Sequence, residues 1–443
     1  MSVENRTQAE TASSRGYTLN DVLRPENLTI AWKQVKANRG AAGIDGMEVG
    51  DFPAFMREHW EKIRSKLEDG TYKPSPVRRV SIPKDGGGRR LLGIPTVLDR
   101  LIQQAIAQVL TPLYEPIFSE HSHGFRPTRS AHDAIREMAE EGNKRRKRCH
   151  VVDCDLQAFF DTVDHQKLMA RLRQRTTDPE LLALILKYLK AGAITREGKY
   201  EKSLRGVPQG GPLSPLLANI LLDELDKELE KRGHSFVRYA DDFVILCTSL
   251  RAGQRILESI RHFLSEKLKL IVNEVKSRVV TLADASFLGF QIVRRKVRWT
   301  EKSQKKFKAK VKQITKRTRG HSPKSVIAEL QSYVRGAFNY YQLGIGFGEA
   351  RELDGWLRSR VRLYYWKQWG RPRTRRRKLL KLGIGRDEVK LASRSRKGHW
   401  RMSHNSLVQR AMNNAWLEDQ GVPSLEKQWV SIRYPNGPKK PKG

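Results

Sequence analysis

The sequence of 443 residues is long enough for roughly two to four domains with a substantial buried core. It carries 85 Lys and Arg against 48 Asp and Glu, a formal net charge of +37 that predicts a polyanionic partner, nucleic acid above all. No apolar run approaches the ~18–20 residues that span a membrane, and residues 1–17 lack the apolar stretch of a signal peptide, so composition argues against a membrane partner and against export.

The basic residues are concentrated in the last third of the chain. Residues 291–443 contain 39 Lys and Arg but only 10 Asp and Glu. The preceding part has the charge balance of an ordinary globular enzyme, whereas the last third has that of a nucleic-acid-binding region. Three cysteines without a CxxC pair or a zinc spacing, Cys149, Cys154 and Cys247, predict reduced thiols in a cytoplasmic protein.

Periodicity and turn residues predict mixed helix and strand up to about residue 290 and helices after it. In chain order the predicted elements are a disordered lead-in (1–26), a helix (27–36), a hairpin (77–84 with 89–95), a core helix after the N-cap Thr96, a buried strand (151–155), a loop rich in Gly and Pro (204–213) that opens a helix at Ser214, a second hairpin (236–246) and a helix (252–268). Three amphipathic helices follow, with apolar positions around Phe307, Val326 to Tyr341, and Leu353 to Tyr364.

The second hairpin carries two adjacent acids, Asp241 and Asp242, between two apolar runs. Like charges side by side repel, and apolar surroundings increase the cost, so a cation is expected there. Hard oxygen ligands of this kind suit magnesium, although an exposed Asp-Asp turn is the plain alternative. Asp155 ends a buried strand, where an isolated carboxylate is costly unless it binds a metal.

The ordered set of motifs resembles the group II intron-encoded reverse transcriptases, of the bacterial, endonuclease-lacking, IIC-like kind. The resemblance rests on the turn after the first helix (41–46), Tyr239-Ala240-Asp241-Asp242, the loop 204–219 and the segment Phe287 to Phe290, all in the family's order. The last residues, Pro435 to Gly443, show no HNH endonuclease signature. The resemblance implies catalytic Asp155, Asp241 and Asp242, and metal contacts from Asp155, Leu156, Asp241 and Asp242 to two Mg²⁺ ions.

The resemblance also implies a nucleotide site. Lys84 and Arg90, on either side of the glycine turn of the first hairpin, match the family's triphosphate-binding residues, although Leu91 stands where the family more often has Pro. Phe160 matches the bulky residue that crowds a ribose 2′-hydroxyl, with an ordinary core aromatic as the alternative. Arg126 resembles a fingers residue near template or nucleotide, whereas His121, His123 and His132 read as polar surface. The implied nucleotide-binding residues are Lys84, Arg90, Phe160, Gln209, Gly210 and Lys276.

The basic C-terminal third resembles the thumb and maturase region of the same family. Arg371 to Lys378 is predicted to be a basic loop on phosphates, with Arg373, Arg375, Arg376 and Arg377 as RNA-binding residues. The predicted domains are the lead-in (1–26), fingers and palm (27–290), helical thumb/maturase domain (291–370) and a basic RNA- or DNA-binding extension (371–443).

The predicted fold class is α+β, a right-hand polymerase followed by a helical region. The expected function is RNA-directed DNA synthesis together with binding of the intron RNA to assist splicing and mobility. The expected partners are group II intron RNA, an RNA template with DNA primer, dNTPs and target DNA, with no membrane, and the expected location is the bacterial cytoplasm, at the nucleoid when on target DNA. Two alternatives remain: a diversity-generating or phage-defence reverse transcriptase, and an RNA-binding splicing factor with little polymerase activity.

Overall fold

The computed structural model describes residues 17–83, 87–144 and 149–435, in two compact units that divide between Phe287 and Leu288. The strands are β1 (Val77–Pro83), β2 (Arg89–Ile94), β3 (His150–Cys154), β4 (Ala193–Ile194), β5 (Tyr200–Glu201), β6 (Ser235–Tyr239), β7 (Asp242–Cys247), β8 (Arg278–Thr281), β9 (Phe290–Val293) and β10 (Lys296–Trp299). The helices of the first unit are α1 (Leu19–Val22), α2 (Pro25–Asn38), α3 (Phe52–Glu68), α4 (Val97–Tyr114), α5 (Ala131–Lys144), α6 (Phe159–Thr162), α7 (His165–Arg173), α8 (Pro179–Lys190), α9 (Ser214–Lys231) and α10 (Leu250–Phe263). Those of the second are α11 (Glu301–Ile314), α12 (Pro323–Tyr341), α13 (Phe347–Gln368), α14 (Pro372–Lys381), α15 (Arg386–Ser393), α16 (His399–Ser403), α17 (Ser406–Ala411), α18 (Asn414–Asp419) and α19 (Leu425–Arg433).

The first unit contains a four-stranded antiparallel sheet in the order β6-β7-β3-β8. Its central strands β7 and β3 are apolar on both faces, because α10 packs against β3 and β8 while α5 packs against β6. Helix α10 continues as one π-helical turn, Leu264–Leu268. The predicted hairpin of acids and the predicted buried strand are thus confirmed as neighbours in one sheet.

A second sheet has the order β2-β1-β4-β5, with β1 parallel to β4 and the other pairs antiparallel. The β1–β2 pair is the predicted first hairpin, in register from Arg78–Ile94 to Pro83–Arg89. Helix α4 follows it as predicted: the Thr96 hydroxyl accepts from the Asp99 N–H at 3.1 Å, and the apolar stripe of the helix is buried. The sequence therefore located this region correctly.

The predicted lead-in contains helical residues at its C-terminal end. The disordered lead-in was assigned to residues 1–26, but Leu19 and Val22 lie on helix α1 with 2% and 0% of their surface exposed. The prediction extended the polar composition of residues 1–16 to the residues after them, although α1 is a short amphipathic turn that packs against α4. The prediction was wrong for residues 17–26.

The turn behind α2 docks onto β1 and α4 through backbone carbonyls. Arg78 donates to the Ala42 oxygen at 2.6 and 3.0 Å, and Arg100 donates to the Ala41 oxygen at 2.8 Å. A β-carbon at Gly43 would lie 2.6 Å from the Thr96 Cα, so this close approach requires glycine. The N-terminal segment is therefore an integral part of the first unit.

The second unit contains the three predicted amphipathic helices, observed as α11, α12 and α13. One prediction beyond them was wrong. The basic segment 371–378 is not a loop: from Pro372 it lies in α14, because Pro starts a helix well and the following basic residues are good helix formers. The predicted extension from residue 371 packs on the helices before it, since Asp354 on α13 accepts from the Leu425 N–H at 3.0 Å and Tyr365 packs edge-on to Trp416 at 5.0 Å. Its RNA- or DNA-binding role stays a prediction.

None of the helices in the described ranges is both long enough and apolar enough to cross a lipid bilayer.

Candidate active site

The adjacent acids lie at a two-residue turn between β6 and β7. Tyr239 pairs with Asp242, so that Ala240 and Asp241 form the turn, and Ala240 has a φ of +59°. Cys154 at the end of β3 pairs with Phe243, and the next residues in that antiparallel register are Asp155 and Asp242. The sheet therefore brings the three predicted catalytic carboxylates to one edge, as the sequence indicated.

The electrostatics of this edge are those of a cation site. Burial raises the pKa of Asp241, and burial together with the charges of Asp241 and Asp155 raises the pKa of Asp242 to about 6. Oxygen donors that repel one another in a buried place fit a hard divalent cation, because its charge would relieve both the burial and the repulsion. The residues that would hold such an ion are Asp155, Asp241 and Asp242.

Asp155 is engaged by a neighbouring turn rather than by the other two acids. Its Oδ2 accepts from the Asn273 amide at 3.0 Å and from the Lys276 ammonium at 3.1 Å, and its N–H donates to the Ser277 hydroxyl at 3.0 Å. Among the described residues no three His, Cys, Asp or Glu side chains converge as a complete metal cage. The Lys276 ammonium lies where it balances the charge of the Asp155 carboxylate, and the metal-binding role of the three acids stays a prediction.

Leu156 could bind a metal only through its backbone carbonyl. The residue is buried and lies opposite Val272 in an isolated antiparallel bridge. The two hydrogen bonds of this bridge are made by its neighbours: the Gln157 N–H donates to the Ile271 carbonyl, and the Asn273 N–H donates to the Asp155 carbonyl. Its carbonyl is therefore outside that pair of hydrogen bonds. The assignment of Leu156 stays a prediction.

A buried ion pair supports the turn from behind. The Arg238 guanidinium is fully buried and forks onto both carboxylate oxygens of the fully buried Asp226, with Nε to Oδ1 at 2.7 Å. Its third nitrogen donates to the Asn219 side-chain oxygen and to the Ala240 carbonyl, both at 2.9 Å. This bond to Ala240 fixes the residue that places Asp241.

The same turn is clamped on its other side by Gly124. A β-carbon at Gly124 would lie 2.1 Å from the Ala240 nitrogen, so only glycine permits this approach. The Asn219 amide donates to the Gly124 carbonyl at 2.8 Å, which ties the glycine to the Arg238 network. The left-handed Ala240 is thus held from two directions, as strained backbone at functional sites commonly is.

Phe160 and Gln209 line a cavity of about 420 Å³ whose other walls come from the β2-β1-β4-β5 sheet and the loop after β5. The loop that carries Gln209 is fixed to the Phe160 turn, where the Val207 N–H donates to the Phe160 carbonyl at 2.6 Å. Gly206 has a φ of +92°, and a β-carbon there would lie 2.9 Å from the Phe160 carbonyl oxygen. Phe160 is half-buried, lines this cavity and packs against the hydrophobic core, so its predicted role in sugar selection stays a prediction.

The other nucleotide-binding predictions fall in three places. Gly210, with a φ of +122°, lies against β2, where the Gly93 N–H donates to the Gln209 carbonyl at 2.8 Å. Arg90 is exposed on β2, and its charge lowers the pKa of Asp241, against the effect of burial. Lys84 lies outside the described residues. The nucleotide-binding roles of these residues stay predictions.

Arg126 and His123 are structural, contrary to prediction. Arg126 is 8% exposed and donates to the Glu115 carboxylate and the Ser122 carbonyl, both at 2.8 Å, so it is not available to template or nucleotide. His123 is 3% exposed, with its Nε2 at 2.6 Å from Glu137, which His121 also contacts. Their burial follows from the loop's packing under β6, a long-range contact without a sequence signal.

Glu137 is hydrogen-bonded to both His121 and His123, and these bonds determine its pKa. Burial alone would raise the pKa of Glu137, but hydrogen bonds with His121 and His123 outweigh it and lower that pKa to about 2. The hydrogen bond with Glu137 raises the pKa of His121. These interactions stabilise the loop whose backbone pairs with Arg238, at the positions His121 and His123.

The four predicted RNA-binding arginines divide into two groups in the second unit. Arg373, Arg376 and Arg377 are exposed on helix α14. Arg375 instead lies over the ring of the buried Trp366, with 4.8 Å from its Cζ to the ring centroid. Its guanidinium is therefore partly a packing group, which the sequence pattern alone did not separate from its neighbours.

Sequence reasoning missed the support network of Arg238, Asp226 and Asn219, and the contact of Asn273 with Asp155. A signal was present: Arg238 lies inside an otherwise apolar strand, and Asp226 lies among the leucines of α9. A charged residue in an apolar run is rarely buried unless it is paired, so the two could have been proposed as partners.

Two family models match the chain. Residues 82–292 match the model described as "Reverse transcriptase (RNA-dependent DNA polymerase)". Residues 304–383 match the model described as "Group II intron, maturase-specific domain". The first range contains the carboxylate edge together with Phe160 and Gln209, and the second contains most of α11 to α14.

Curated relatives agree with these matches. The chain is 35% identical over 321 residues to Protein YkfC of Escherichia coli K12, covering 63% of this chain and 84% of that protein. It is 33% identical over 337 residues to the group II intron-encoded protein LtrA of Lactococcus lactis subsp. cremoris, covering 61% of this chain and 55% of that protein. The chain thus spans about half the length of LtrA. Among solved structures, a Candida albicans telomerase chain has a TM-score of 0.41 at 13% identity, covering 69% of this chain and 62% of that one.

Proposed function

The chain belongs to the family of group II intron-encoded reverse transcriptases and maturases, and from that premise we propose that it copies RNA into DNA and binds group II intron RNA to assist its splicing and mobility. The observation that carries the polymerase role is the alignment of Asp155 with the Asp241–Asp242 turn at one edge of the sheet. The maturase match in the basic second unit favours the intron protein over a diversity-generating or phage-defence enzyme.

The cofactor proposed for the carboxylate edge is Mg²⁺, as two ions. Asp155, Asp241 and Asp242 would hold them; when bound, they supply a lowered pKa for the primer 3′-hydroxyl and charge stabilisation for the transferring phosphoryl group. The Lys276 ammonium lies 3.1 Å from the Asp155 carboxylate and would contact the phosphates of the incoming nucleotide. Arg90 would contact the triphosphate, and the proposed substrates are dNTPs on an RNA template with a DNA primer.

The first test of the nucleotide site concerns sugar selection. Replacing Phe160 with Val should admit ribonucleotides more readily, because the side chain that crowds the cavity beside Gln209 becomes smaller. The measurement is the ratio of ribonucleotide to deoxynucleotide incorporation efficiency in RNA-templated primer extension, and we expect it to rise at least tenfold, about 1.4 kcal/mol of lost discrimination. Phe160→Tyr, which keeps the ring, is the matched control and should retain the wild-type ratio. An unchanged ratio in Phe160→Val would return the residue to an ordinary packing role.

The second test concerns the basic helix α14. Changing Arg373, Arg376 and Arg377 together to Ala should flatten the log–log salt dependence of intron RNA binding by up to roughly three units, since each lost phosphate contact removes close to one. Protein-assisted splicing at near-physiological salt should fail, while primer extension on a saturating short primer–template should change much less.

Arg375 provides the contrast for this test. Arg375 packs on Trp366, so Arg375→Ala should lower the free energy of unfolding by about 0.5–1 kcal/mol and with it the melting temperature. It should change the salt slope less than the triple variant does. A triple variant with the wild-type slope and splicing rate would remove α14 from the RNA-binding surface. Target DNA as a further partner, and association with the nucleoid during integration, belong to the same proposal and would be tested with the intron-bound particle.

A further inference from the structure

The hairpin of β9 and β10 turns at two arginines in an unfavourable backbone conformation. Val293 pairs with Lys296, so only Arg294 and Arg295 connect the strands. Their φ angles are +48° and +65°. Positive φ at both central positions is typical of a type I′ turn, which prefers Asn-Gly because a β-carbon is disfavoured there.

After the hairpin, the chain uses glycine for such positions. The described residues with positive φ there are Gly320, Gly370, Gly383 and Gly421, whereas before the hairpin Leu288 and Gly289 also have positive φ. The two arginines therefore differ from the glycines at the later turns of the same unit. Strained residues that persist at the surface point to a function for their side chains.

The end of the hairpin opposite the turn is held by buried aromatic contacts. The base of the hairpin is anchored by Trp299, whose ring lies 5.1 Å from Tyr341 and 5.8 Å from Phe307, and whose Nε1 donates to Glu349 at 2.5 Å. Phe290 packs against Tyr341 at 5.6 Å. These buried aromatic contacts hold the strands together from the end opposite the turn.

The tip concentrates exposed positive charge. Arg294, Arg295, Lys296 and Arg298 are all exposed and fall within five consecutive positions. A guanidinium presents two parallel N–H donors that match two oxygens of a phosphate, which neither Asn nor Gly can do. The side chains that weaken the turn are thus the side chains best suited to a phosphodiester.

We propose that this arginine tip, residues 294–298, binds the phosphodiester backbone of RNA, and that the arginines are retained for their charge at the expense of the stability of the turn. The choice of RNA rests on the proposed function, because the tip belongs to the compact unit that carries the maturase match and most of the net positive charge of the chain. The tip would add two to four phosphate contacts to those of α14.

The test uses the fact that replacing the arginines should stabilise the fold but weaken RNA binding. In the full-length protein, the double substitution Arg294→Asn and Arg295→Gly should raise the melting temperature by a few degrees, because it supplies the preferred residues of a type I′ turn. The same variant should bind an in vitro transcript of a folded group II intron roughly ten- to thirtyfold more weakly near physiological salt, with a salt slope reduced by up to about two. The matched control, Arg294→Lys with Arg295→Lys, keeps both charges and both β-carbons. It should keep the wild-type melting temperature and salt slope, and it should lose no more than a few-fold in affinity, because Lys lacks the guanidinium fork.

Three results would overturn the proposal. The first is a variant with wild-type RNA affinity and salt slope, and the second is a variant with a lower melting temperature, which would give the arginines a structural role. The third is a loss of affinity confined to a DNA duplex of equal length. Melting and RNA binding need no polymerase activity, so these readouts are independent of a failure to synthesise cDNA, and primer extension by the variant at saturating template should stay close to wild type.

Discussion

Asp241→Asn should reduce cDNA synthesis by several orders of magnitude while leaving RNA binding intact. The substitution keeps the size of the side chain but removes one formal charge from the turn where Asp242 and Asp155 supply the others. Metal-assisted phosphoryl transfer depends on that charge. Each ~1.4 kcal/mol added to the activation free energy slows the reaction tenfold, so the loss of several kcal/mol of transition-state stabilisation slows it by several orders of magnitude. The measurement is single-turnover primer extension on an RNA template.

The control for this prediction is a neighbouring acid outside the turn. Asp153 lies on β3, paired with Val244 and Arg278, two residues before Asp155. Asp153→Asn should keep at least a tenth of the wild-type rate, since its carboxylate is not at the sheet edge. Because burial raises the pKa of Asp241, its replacement should also leave the folded state at least as stable at neutral pH. Near-normal extension by Asp241→Asn would sink the catalytic assignment.

Arg238→Leu should have the largest effect on stability. It would leave the fully buried Asp226 carboxylate without its partner, which typically costs about 3–5 kcal/mol in the free energy of unfolding. The double variant Arg238→Leu with Asp226→Leu removes both charges and should recover most of that loss, because a buried pair and a well-packed apolar pair are often similar in energy. Thermal or denaturant unfolding measures both values.

Catalysis should not recover with stability in the double variant. The Ala240 carbonyl would still lack the donor that Arg238 provides at 2.9 Å, so the turn that places Asp241 would lose one of its two supports. We expect kcat to stay at least tenfold below wild type with little change in KM for dNTPs, since the Phe160 cavity is formed by other elements. Full recovery of kcat together with stability would show that Arg238 contributes to folding alone.

Some features of this protein were determined by the sequence itself. The apolar runs on either side of Asp241 and Asp242, the Thr96 cap and the stripe of α4 specify local structure through alternation, capping and helical period, and each was found where predicted. Such signals are readable because they act over a few residues. The concentration of Lys and Arg after residue 290 likewise identified the basic unit without any structure.

The contacts around these elements were decided by tertiary structure. Nothing local distinguishes the exposed Arg376 from Arg375, which lies over Trp366 nine residues away on another helix, or predicts that Arg126 is buried rather than near the template. The sequence likewise could not show that Lys276 neutralises Asp155, because the two are joined only when the turn after α10 reaches the end of β3. Side-chain partners at long sequence separation depend on how elements pack, whereas element type depends on neighbours in the chain. This is why the acids could be located from the sequence, whereas of the groups that position them only Arg238 and Asp226 left a signal there, as charged residues among apolar ones.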